Sequence, residues 1–527
     1  MIKLKARAGF AKFGVYETDT LKFTFPGIIN IDAITSLNSE LHLFKKDDKL
    51  YLNNILLNDK EIRKSGHTEI AEDLIIVPNL SVILKKHSEF IKYLTDLRKK
   101  IGFKKIIYAP FLGIPQQIPL LSYLGIDLLD TSYTHIASKN GYYFSRFGTF
   151  REESKLENNL NLMVEYRQEA TEAICMNKLR DLVESLPDIT AKSLLRVSDL
   201  FYYTEIEPFY PVWEKELNAV QFDSLFRPDI KRFIFRVNER YQKPLLYNTL
   251  VLLPCSAKKP YSDSKSHRFF RSIIEDTGKM VHEVIVTSPI AVVPRELETV
   301  YPAQNYDLSV IGQWNQDEIK LIIEQVKKYV ENNRYENIIA YLPEDLEFLR
   351  DMLLQYGAEV IIGNLKNTEN IKKLKDLISS SNSPNISRKY QTKEEIKAVI
   401  RYQFGDIFDN VLEKLTMIGP YPNIDILLDN EHFMHFNRKK GEMTLSLKAA
   451  KMLADKNRYS VTIGNFEPKG TVFAVGILDA TEDIRKEDEV AIIIEGQAVG
   501  AGTAKMNYID MKEQEYGEAV KIRVFKK

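Results

Sequence analysis

Cysteine is scarce in this 527-residue sequence, which contains only Cys175 and Cys255. Two cysteines exclude a disulfide scaffold, a Cys-rich zinc cluster and an iron–sulfur site of the chain's own. Any metal would need histidine and carboxylate ligands. The sequence therefore predicts neither a cofactor nor a metal site.

Long hydrophobic runs are also missing. No segment approaches the roughly 20 apolar residues of a membrane-spanning helix, and the N-terminal MIKLKARAGFAKF lacks the apolar core of a secretory signal. We therefore expect a cytoplasmic protein without membrane contact. Charge of one sign is not in excess, since 73 basic residues balance 73 acidic ones. This neutrality excludes bulk attraction to nucleic acid but leaves room for a local basic face.

Low-complexity sequence is confined to SSSNSPN at 379–385, a composition typical of a linker. At about 100–200 residues per domain, the length predicts three or four domains. We place the domain boundaries so that the chain divides into residues 1–214, 215–384, 385–459 and 460–527.

The first region mixes strand and helix patterns. Leu21, Phe23 and Phe25 alternate with polar residues as in a half-buried strand, whereas 87–101 has helical periodicity. KKIIYAPFLGI (104–114) and GIDLLDTSY (125–133) are strand candidates on either side of an apolar helix. This β-α-β order predicts a parallel sheet or a (β/α) barrel.

Residues 215–378 alternate more regularly. The helix-like segments are 266–278, 315–333 and 343–357. The strand-like runs are NTLVLLP (248–254), HEVIVTSP (282–289), DLSVIG (307–312), ENIIAYLP (336–343) and AEVIIG (358–363). Buried β-branched runs separated by amphipathic helices predict a doubly wound α/β domain.

The pattern of predicted helices and strands changes after the linker. Residues 394–415 predict a helix that leads into a small α+β domain ending near 459. From 460 onward, short strands with glycine turns predict a compact β-barrel. The predicted fold class is therefore α/β and multidomain.

The segment TLVLLPCSAKKPYSDSKSHRFF (249–270) carries the residues best suited to chemistry. An apolar strand ends at Pro254, a polar loop follows, and a helix begins near Ser264 or Ser266. Open α/β sheets bind ligands at the carboxyl ends of their strands, and a helix N-terminus there would hold an anion or lower the pKa of a thiol. The loop candidates are Cys255, Ser256, Lys258, Lys259, Tyr261, Ser264 and His267.

Each of these residues also has a purely structural interpretation. A cysteine after a strand is usually a small buried apolar residue, the two lysines fit a solvated loop, and Ser264 fits a helix cap. The combined spacing Pro-Cys-x3-Lys-Pro-Tyr-x2-Ser-x2-His is far more specific than any one member.

This spacing resembles the signature of the archaeosine synthases, a tRNA-modifying family related to the tRNA-guanine transglycosylases. The matching residues are Pro254, Cys255, Lys259, Pro260, Tyr261, Ser264 and His267. Residues 287–314 are similar to the same family's catalytic domain. Three aromatic residues of this segment fit either a hydrophobic core or a surface on which bases stack: Tyr301, Tyr306 and Trp314. The resemblance implies substrate contacts at Pro254, Ser256, Ser288 and Arg295.

Residues 125–141 are similar to the transglycosylase segment that ends a barrel strand with the nucleophilic aspartate, here Asp130. The transglycosylase zinc cluster Cys-x-Cys-x2-Cys…His is absent, and the region before Asp130 is too short for a complete barrel with its second catalytic aspartate. The resemblance therefore implies a degenerate TIM-barrel-like N-terminal domain. Asp130 would contact the substrate base or serve as a structural acid.

Residues 466–506 resemble a PUA domain, a small barrel that binds tRNA-type structures. The similarity implies RNA contacts at Lys469, Gly470, Gly476 and Gly500, although turn glycines are equally expected in any β-barrel.

The archaeosine synthase resemblance implies a transferase whose substrate is tRNA carrying 7-cyano-7-deazaguanine at nucleotide 15. Free lysine would add its ε-amine across the nitrile, and a radical-SAM partner would cleave the adduct. His267 is the candidate acid or base, and Cys255 is either a nucleophile or a pocket lining. The candidate catalytic residues are Cys255, Lys259, Tyr261, Ser264 and His267.

Several alternatives stay open at this point. Glutamine or ammonia could supply the amine to the same base. The chain could also be a tRNA-guanine transglycosylase or a non-catalytic tRNA-binding protein. The missing zinc ligands argue against base exchange, and the intact signature argues against a purely binding role. Transglycosylase relatives further imply a homodimer.

Overall fold

The computed structural model describes residues 1–31, 42–46, 49–52, 55–57, 66–151, 156–307, 314–364, 366–385, 388–419 and 423–526. They belong to two compact units. The first comprises residues 1–211, 462–486 and 504–521, and the second comprises 212–461, 487–503 and 522–527. None of the helices in the described ranges combines the length and the apolar character needed to span a bilayer.

The first unit begins with an antiparallel sheet of β1 (Ile2–Ala8), β2 (Ala11–Glu17) and β3 (Lys22–Phe25). Leu21, Phe23 and Phe25 are buried, and the polar residues between them are more exposed. The alternation predicted from the sequence is therefore confirmed.

An eight-stranded sheet follows. Its strands are β4 (Gly27–Ile31), β5 (His42–Lys46), β6 (Lys49–Leu52), β7 (Ile55–Leu57), β8 (Thr68–Ala71), β9 (Leu74–Ile76), β10 (Ile106–Tyr108) and β11 (Leu128–Asp130). The order is β7-β6-β5-β4-β11-β10-β9-β8. The five central strands β5, β4, β11, β10 and β9 are parallel to one another, and the outer strands pair antiparallel. A complete (β/α) barrel has eight parallel strands, so the described part of this sheet is the degenerate barrel that the sequence predicts.

Helices cover this sheet. A hairpin of β12 (Tyr142–Ser145) and β13 (Gly148–Arg151) lies between two of these helices in the sequence. The helices are α1 (Leu80–Ile83), α2 (His87–Ile101), α3 (Ile118–Tyr123), α4 (Ser132–Lys139), α5 (Leu156–Cys175), α6 (Leu179–Ser185), α7 (Ile189–Phe201) and α8 (Tyr203–Ile206). Helix α2 buries Phe90, Leu94 and Leu97, which recur at helical spacing.

A buried carboxylate joins several of these elements. Asp127, at the start of β11, accepts hydrogen bonds from Arg98 of α2 at 3.0 Å and from the amide of Ile107 at 2.9 Å. The ammonium of Lys12 lies 3.3 Å away. Because both cations are almost completely buried, each depends on Asp127 for charge compensation.

The second unit contains a five-stranded sheet in the order β17-β16-β15-β19-β20. All pairs are parallel except β16 with β17. The strands of this region are β14 (Leu217–Asn218), β15 (Thr249–Pro254), β16 (His282–Thr287), β17 (Ala291–Pro294), β18 (Tyr306–Asp307), β19 (Asn337–Leu342) and β20 (Glu359–Ile362). Short β14 and β18 pair with each other in a separate ladder. The doubly wound prediction is confirmed, with one antiparallel edge strand. The predicted strand DLSVIG (307–312) falls almost entirely outside the described residues.

Helices of the second unit are α9 (Pro228–Glu239), α10 (Lys265–Glu275), α11 (Gln316–Asn333), α12 (Arg350–Gln355), α13 (Thr368–Ser380) and α14 (Arg388–Phe404). The predicted helix at 343–357 is divided, because residues 344–349 form a 3₁₀ turn before α12. At the predicted linker, Ser381 and Ser383 are buried, and the Ser383 hydroxyl donates to Thr249 at 2.6 Å. The chain there packs against the start of β15, and the second unit continues past it.

An antiparallel sheet follows, with β21 (Leu415–Ile418), β22 (Asn423–Leu428), β23 (Glu431–Asn437), β24 (Glu442–Leu445) and then helix α15 (Leu447–Asp455). The C-terminal strands are β25 (Ser460–Ile463), β26 (Thr471–Phe473), β27 (Ile477–Ala480), β28 (Glu489–Ile494), β29 (Gln497–Ala504) and β30 (Glu518–Phe525), with α16 (Tyr508–Glu513) before the last. They form the six-stranded sheet β26-β30-β29-β28-β25-β27, in line with the predicted small β-domain.

Replacing Asp127 tests the buried charge cluster. We expect Asp127→Asn to lower the free energy of unfolding by about 3–5 kcal/mol, because Arg98 and Lys12 lose their charged partner. Glu165→Gln, in an exposed pair with Arg146, is the control and should change stability by less than about 1 kcal/mol. Urea unfolding of the full chain measures both. Equal effects of the two variants would contradict the role given to Asp127.

Candidate active site

The candidate active site lies where the central strand of the second unit ends. β15 is buried along its whole length, and its alternate residues belong to two different apolar clusters, one on each face of the sheet. Pro254 is its last residue, and half-buried Cys255 follows. The strand therefore presents the thiol at the carboxyl edge of the sheet, where such folds bind ligands.

The loop after Cys255 returns to the sheet through a 3₁₀ turn at Tyr261–Asp263 and enters helix α10. Of the two predicted capping serines, Ser264 caps the helix: its hydroxyl accepts a hydrogen bond from the amide of His267 at 3.1 Å. This cap fixes the direction in which the loop meets the helix.

Three buried hydroxyl groups form a chain beside the loop. The Tyr261 and Tyr306 hydroxyls are 2.6 Å apart, and Thr287 Oγ1 lies 2.6 Å from the Tyr306 hydroxyl. Burial raises the pKa of both tyrosines well above the ordinary value. Both phenols therefore remain protonated at neutral pH and can donate hydrogen bonds.

The surroundings of Cys255 and Lys259 shift the pKa of each side chain in the direction that favours its neutral form. Burial raises the pKa of the Cys255 thiol, while a hydrogen bond with Thr287 and the charge of Lys259 oppose that shift. Burial also lowers the pKa of Lys259, against the charges of Cys255 and Asp307. The Lys259 ammonium lies 3.8 Å from the centre of the Tyr306 ring. A lower lysine pKa increases the fraction of neutral amine at a given pH, and the neutral amine can accept a proton.

Arg295 links the loop to the sheet. Its guanidinium donates to Glu298 at 2.9 Å, to Nδ1 of His267 at 2.9 Å and to Glu283 on β16. Glu298 also accepts a hydrogen bond from the amide of Ser262 at 2.9 Å. One arginine thus connects β16, the 3₁₀ turn and the first turn of α10.

His267 is held as a neutral ring inside this cluster. Burial and the charge of Arg295 lower the pKa of His267 to about 3, and Glu283 only partly offsets them. The imidazole is 1% exposed and uses Nδ1 as the acceptor for Arg295. In this arrangement His267 orients Arg295 and the loop, and it does not face the open edge of the sheet.

Two family models match the chain. A domain of unknown function, DUF5591, matches residues 230–379, and the PUA domain matches 465–525. The first contains the complete Cys255 loop and its helix, and the second contains most of the C-terminal sheet.

Curated relatives cover most of the sequence. The archaeosine synthase subunit alpha of Thermoplasma acidophilum is 34% identical over 86% of this chain and 88% of its own length. The corresponding subunit of Methanosarcina acetivorans is 31% identical over 90% of this chain and 82% of its own length. The chain belongs to the archaeosine synthase family. It therefore has a role in archaeosine biosynthesis.

More distant similarities lie outside the archaeosine synthases. A tRNA-guanine(15) transglycosylase of Methanocaldococcus jannaschii is 23% identical over 78% of this chain and 64% of its own length. A solved crystal structure of a protein of unknown function is 28% identical, covers 55% of this chain and 98% of its own, and has a TM-score of 0.44.

The other predicted substrate contacts of the second unit occupy different environments. Pro254 is buried in the sheet. Ser256 is half-buried, and its hydroxyl donates to the carbonyl of Lys258 at 3.0 Å. Ser288 is buried and donates to Glu318 at 2.7 Å. Among these three, Ser256 lies next to the half-buried thiol in the loop.

Asp130 belongs to the first unit, at the end of β11. Its Oδ2 accepts hydrogen bonds from the Tyr108 hydroxyl and the amide of Phe111, both at 2.9 Å, and Oδ1 accepts one from the amide of Ser132 at 2.8 Å. The side chain is 1% exposed. Two roles were expected for Asp130, a contact with the substrate base and a structural acid. These contacts favour the structural role.

The four predicted RNA contacts also differ in their surroundings. Gly470 has a φ of +80° in an open turn beside Lys469, with nothing near the position of a Cβ atom. A Cβ on Gly476 would lie 2.7 Å from the Phe466 ring, and one on Gly500 would lie 2.6 Å from the Val524 carbonyl. Contact with the Phe466 ring explains Gly476, and packing within the sheet explains Gly500. Lys469 and Gly470 are exposed and therefore accessible to a ligand.

Sequence reasoning missed three residues of the site. Thr287, Glu283 and Glu298 make the contacts that hold Tyr306 and Arg295. Thr287 ends β16, so its position at the carboxyl edge was a usable signal. Glu298 follows Arg295 by three residues, so a local ion pair was also a usable signal, whereas Glu283 gave none, because only the pairing of β16 with β17 brings it to the guanidinium.

The depressed pKa of His267 predicts a pH dependence of stability. The native state keeps the ring neutral down to about pH 3, whereas the unfolded chain takes up a proton below about pH 6.5. The His267 contribution is therefore lost as the pH falls from about 6.5 toward 3, by up to about 1.4 kcal/mol per pH unit. His267→Gln retains an acceptor for Arg295 and should flatten the profile. The measurement is urea unfolding at several pH values.

His432→Gln is the matched control, because His432 is an exposed histidine of the same unit. It should keep the wild-type slope. The same slope in wild type and in His267→Gln would mean that the native ring is not held neutral.

Proposed function

We propose that this chain transfers free lysine to 7-cyano-7-deazaguanine at nucleotide 15 of tRNA. The ε-nitrogen of lysine bonds to the nitrile carbon, one amine proton moves to the nitrile nitrogen, and the product is an amidine with no leaving group. The observation that carries the proposal is the Cys255–Lys259 pair at the carboxyl end of β15, inside a chain of the archaeosine synthase family.

Cys255 is the proposed nucleophile in a first step. Lys259 accepts the thiol proton, the sulfur bonds to the nitrile carbon, and the proton returns to the nitrogen to give a thioimidate. The lysine substrate then attacks the same carbon as a neutral amine and expels the thiol. The lowered pKa of Lys259 supports its role as proton carrier.

The surrounding groups position this pair. Tyr261 and Tyr306 supply neutral hydroxyls beside Cys255 and Lys259, and the Tyr306 ring supports the ammonium. Ser264 caps α10, and His267 with Arg295 holds the loop against β16. We assign these residues to positioning rather than to bond formation.

Carboxylates near the pair favour a cationic amine donor. Asp307 acts on Lys259 electrostatically, and Asp345 acts on Cys255. The α-ammonium group of lysine would be attracted to such a region while its ε-amine reacts. Ammonia has a single nitrogen, which is not nucleophilic while it is held as ammonium. Glutamine is also a zwitterion, but it lacks the side-chain amine required here.

The tRNA is proposed as the partner of the PUA domain, with the turn at Lys469–Gly470 in contact with RNA. Nucleotide 15 lies in the folded tRNA core, so the base must leave its stack to be modified. A radical-SAM partner is proposed to cleave the lysine adduct, because two cysteines cannot hold a three-cysteine iron–sulfur cluster. We also propose that the chain forms a homodimer, as its resemblance to the transglycosylases implies.

Incubation of nitrile-bearing tRNA with isotopically labelled lysine tests the reaction. Mass spectrometry of the nucleosides should show a lysine-mass adduct with wild type. Cys255→Ala and Lys259→Gln should reduce its rate at least about a hundredfold. Cys175→Ala, which changes the exposed cysteine, should retain the wild-type rate. In the absence of lysine, the tRNA should become covalently attached to the protein at Cys255, and nuclease digestion should leave the mass of the nitrile-bearing nucleotide on the protein.

The other candidate functions give different results in this assay. An adduct formed only with glutamine or ammonia would identify another donor. Release of the deazapurine in exchange for labelled guanine would indicate a transglycosylase. An unchanged nitrile with every amine would leave tRNA binding as the function.

The acidic residues should control the apparent affinity for lysine. We expect Asp307→Asn and Asp345→Asn each to raise the KM for lysine about three- to tenfold with little change in kcat, because each removes an attraction to an ammonium group. Asp351→Asn changes an exposed carboxylate on α12 and should have no effect. Unaltered KM values in both site variants would argue against this recognition of lysine.

A further inference from the structure

A cavity of about 590 Å³ opens on the surface of the first unit. Ligand pockets usually measure about 300–1,000 Å³. Its walls include segments that follow three adjacent parallel strands: Leu84 after β9, Gln117 after β10 and Tyr133 after β11. The carboxyl ends of parallel strands are the usual place for ligand binding in such sheets. The cavity therefore has both the size and the location of a binding site.

This cavity is separate from the carboxylate of Asp130. Asp130 is absent from its lining, and both of its oxygens already accept hydrogen bonds. The cavity instead lies along the face of α4 that carries Tyr133 and Ile136, near the start of α7. Neither the degenerate barrel nor the Cys255 chemistry accounts for it.

The walls combine flat apolar surfaces with a few polar groups. Tyr133, Tyr142 and Phe144 contribute rings, and Asn140 contributes an amide. Asp188 caps α7: its Oδ1 accepts from the amide of Ala191 at 2.8 Å and from Gln117 at 3.1 Å. Its Oδ2 accepts no hydrogen bond from the described residues. A flat ligand that offers an N–H group fits this combination.

Exposed aromatic side chains also lie on elements that line the cavity. Phe111 and Tyr133 form an edge-to-face pair with ring centres 5.5 Å apart, and both are more than one-third exposed. On the nearby hairpin of β12 and β13, Phe147 is 87% exposed and Phe150 is 46% exposed. Exposed rings of this kind are the stacking surfaces on which proteins bind unpaired bases.

We propose that the cavity binds a nucleobase, with its face against Tyr133 and an N–H edge on Asp188. The shared chemistry is a neutral planar heterocycle, which can come from an unpaired nucleotide of RNA or from a free nucleoside. The proposal goes beyond lysine transfer and does not depend on it, because it concerns binding in the first unit.

Saturation-transfer NMR on the full chain, with guanosine, adenosine, cytidine and uridine as probes, tests the proposal. We expect the nucleosides to bind, because each of the four bases carries at least one N–H group for Asp188. Tyr133→Ala should weaken it about tenfold through lost stacking. Asp188→Asn should weaken it as well, while the asparagine still caps α7. Leu200→Ala changes an exposed apolar residue on α7 outside the cavity and should bind normally, as should Cys255→Ala.

A single-stranded RNA hexamer is the second probe. Displacement of the nucleoside by the hexamer identifies RNA as the source of the base, and binding of nucleosides without such competition identifies a free nucleoside. The proposal is overturned if no nucleoside binds, or if binding survives Tyr133→Ala and Asp188→Asn. Loss of binding in Cys255→Ala alone would overturn it too, because the ligand would then occupy the Cys255 site. Lysine-transfer rates are measured on the same variants. Absence of nucleoside binding together with normal lysine transfer would contradict the cavity proposal alone, and absence of lysine transfer together with normal nucleoside binding would contradict the proposed reaction alone.

Discussion

The guanidinium of Arg295 is the contact on which the candidate active site depends. Its charge is compensated by Glu283 on the sheet and by Glu298 in the turn that also holds the amide of Ser262. A buried arginine is stable only when such partners are present. The loop that carries Cys255 and Lys259 is thus tied at its far end to the strand beside it. His267 completes the arrangement by offering a neutral acceptor, which a protonated ring would not provide.

The same burial that requires these ion pairs also sets the reactivity of the site. Removal from water raises the pKa of the Cys255 thiol and lowers that of the Lys259 ammonium, so each group moves toward its neutral form. Thr287 limits the shift of the thiol pKa, and the mutual attraction of the pair limits both shifts. A neutral amine can accept the proton that the thiol must lose when its sulfur adds to a nitrile.

The first unit illustrates how a fold can keep a residue and change its surroundings. Asp130 remains at the end of a parallel strand, but Tyr108 and two backbone amides occupy its oxygens. Nearby, a cavity with a partly free carboxylate has formed beside α4 and α7. Fold similarity alone therefore does not transfer a chemical role to a position.

The sequence by itself determined the kinds of elements and the location of the reactive loop. Apolar periodicity identified β15, β16 and β19, because buried strands need continuous β-branched runs, and the Cys255 to His267 spacing identified the loop. Tertiary structure decided which side chains share that site. Glu283 reaches Arg295 through the antiparallel pairing of β16 with β17, in which Val284 lies opposite Pro294, and the fold then brings this arginine to His267. It likewise decided that His267 is buried, since rotation of α10 by about half a turn would expose the ring, and local sequence does not specify the packing that sets this orientation.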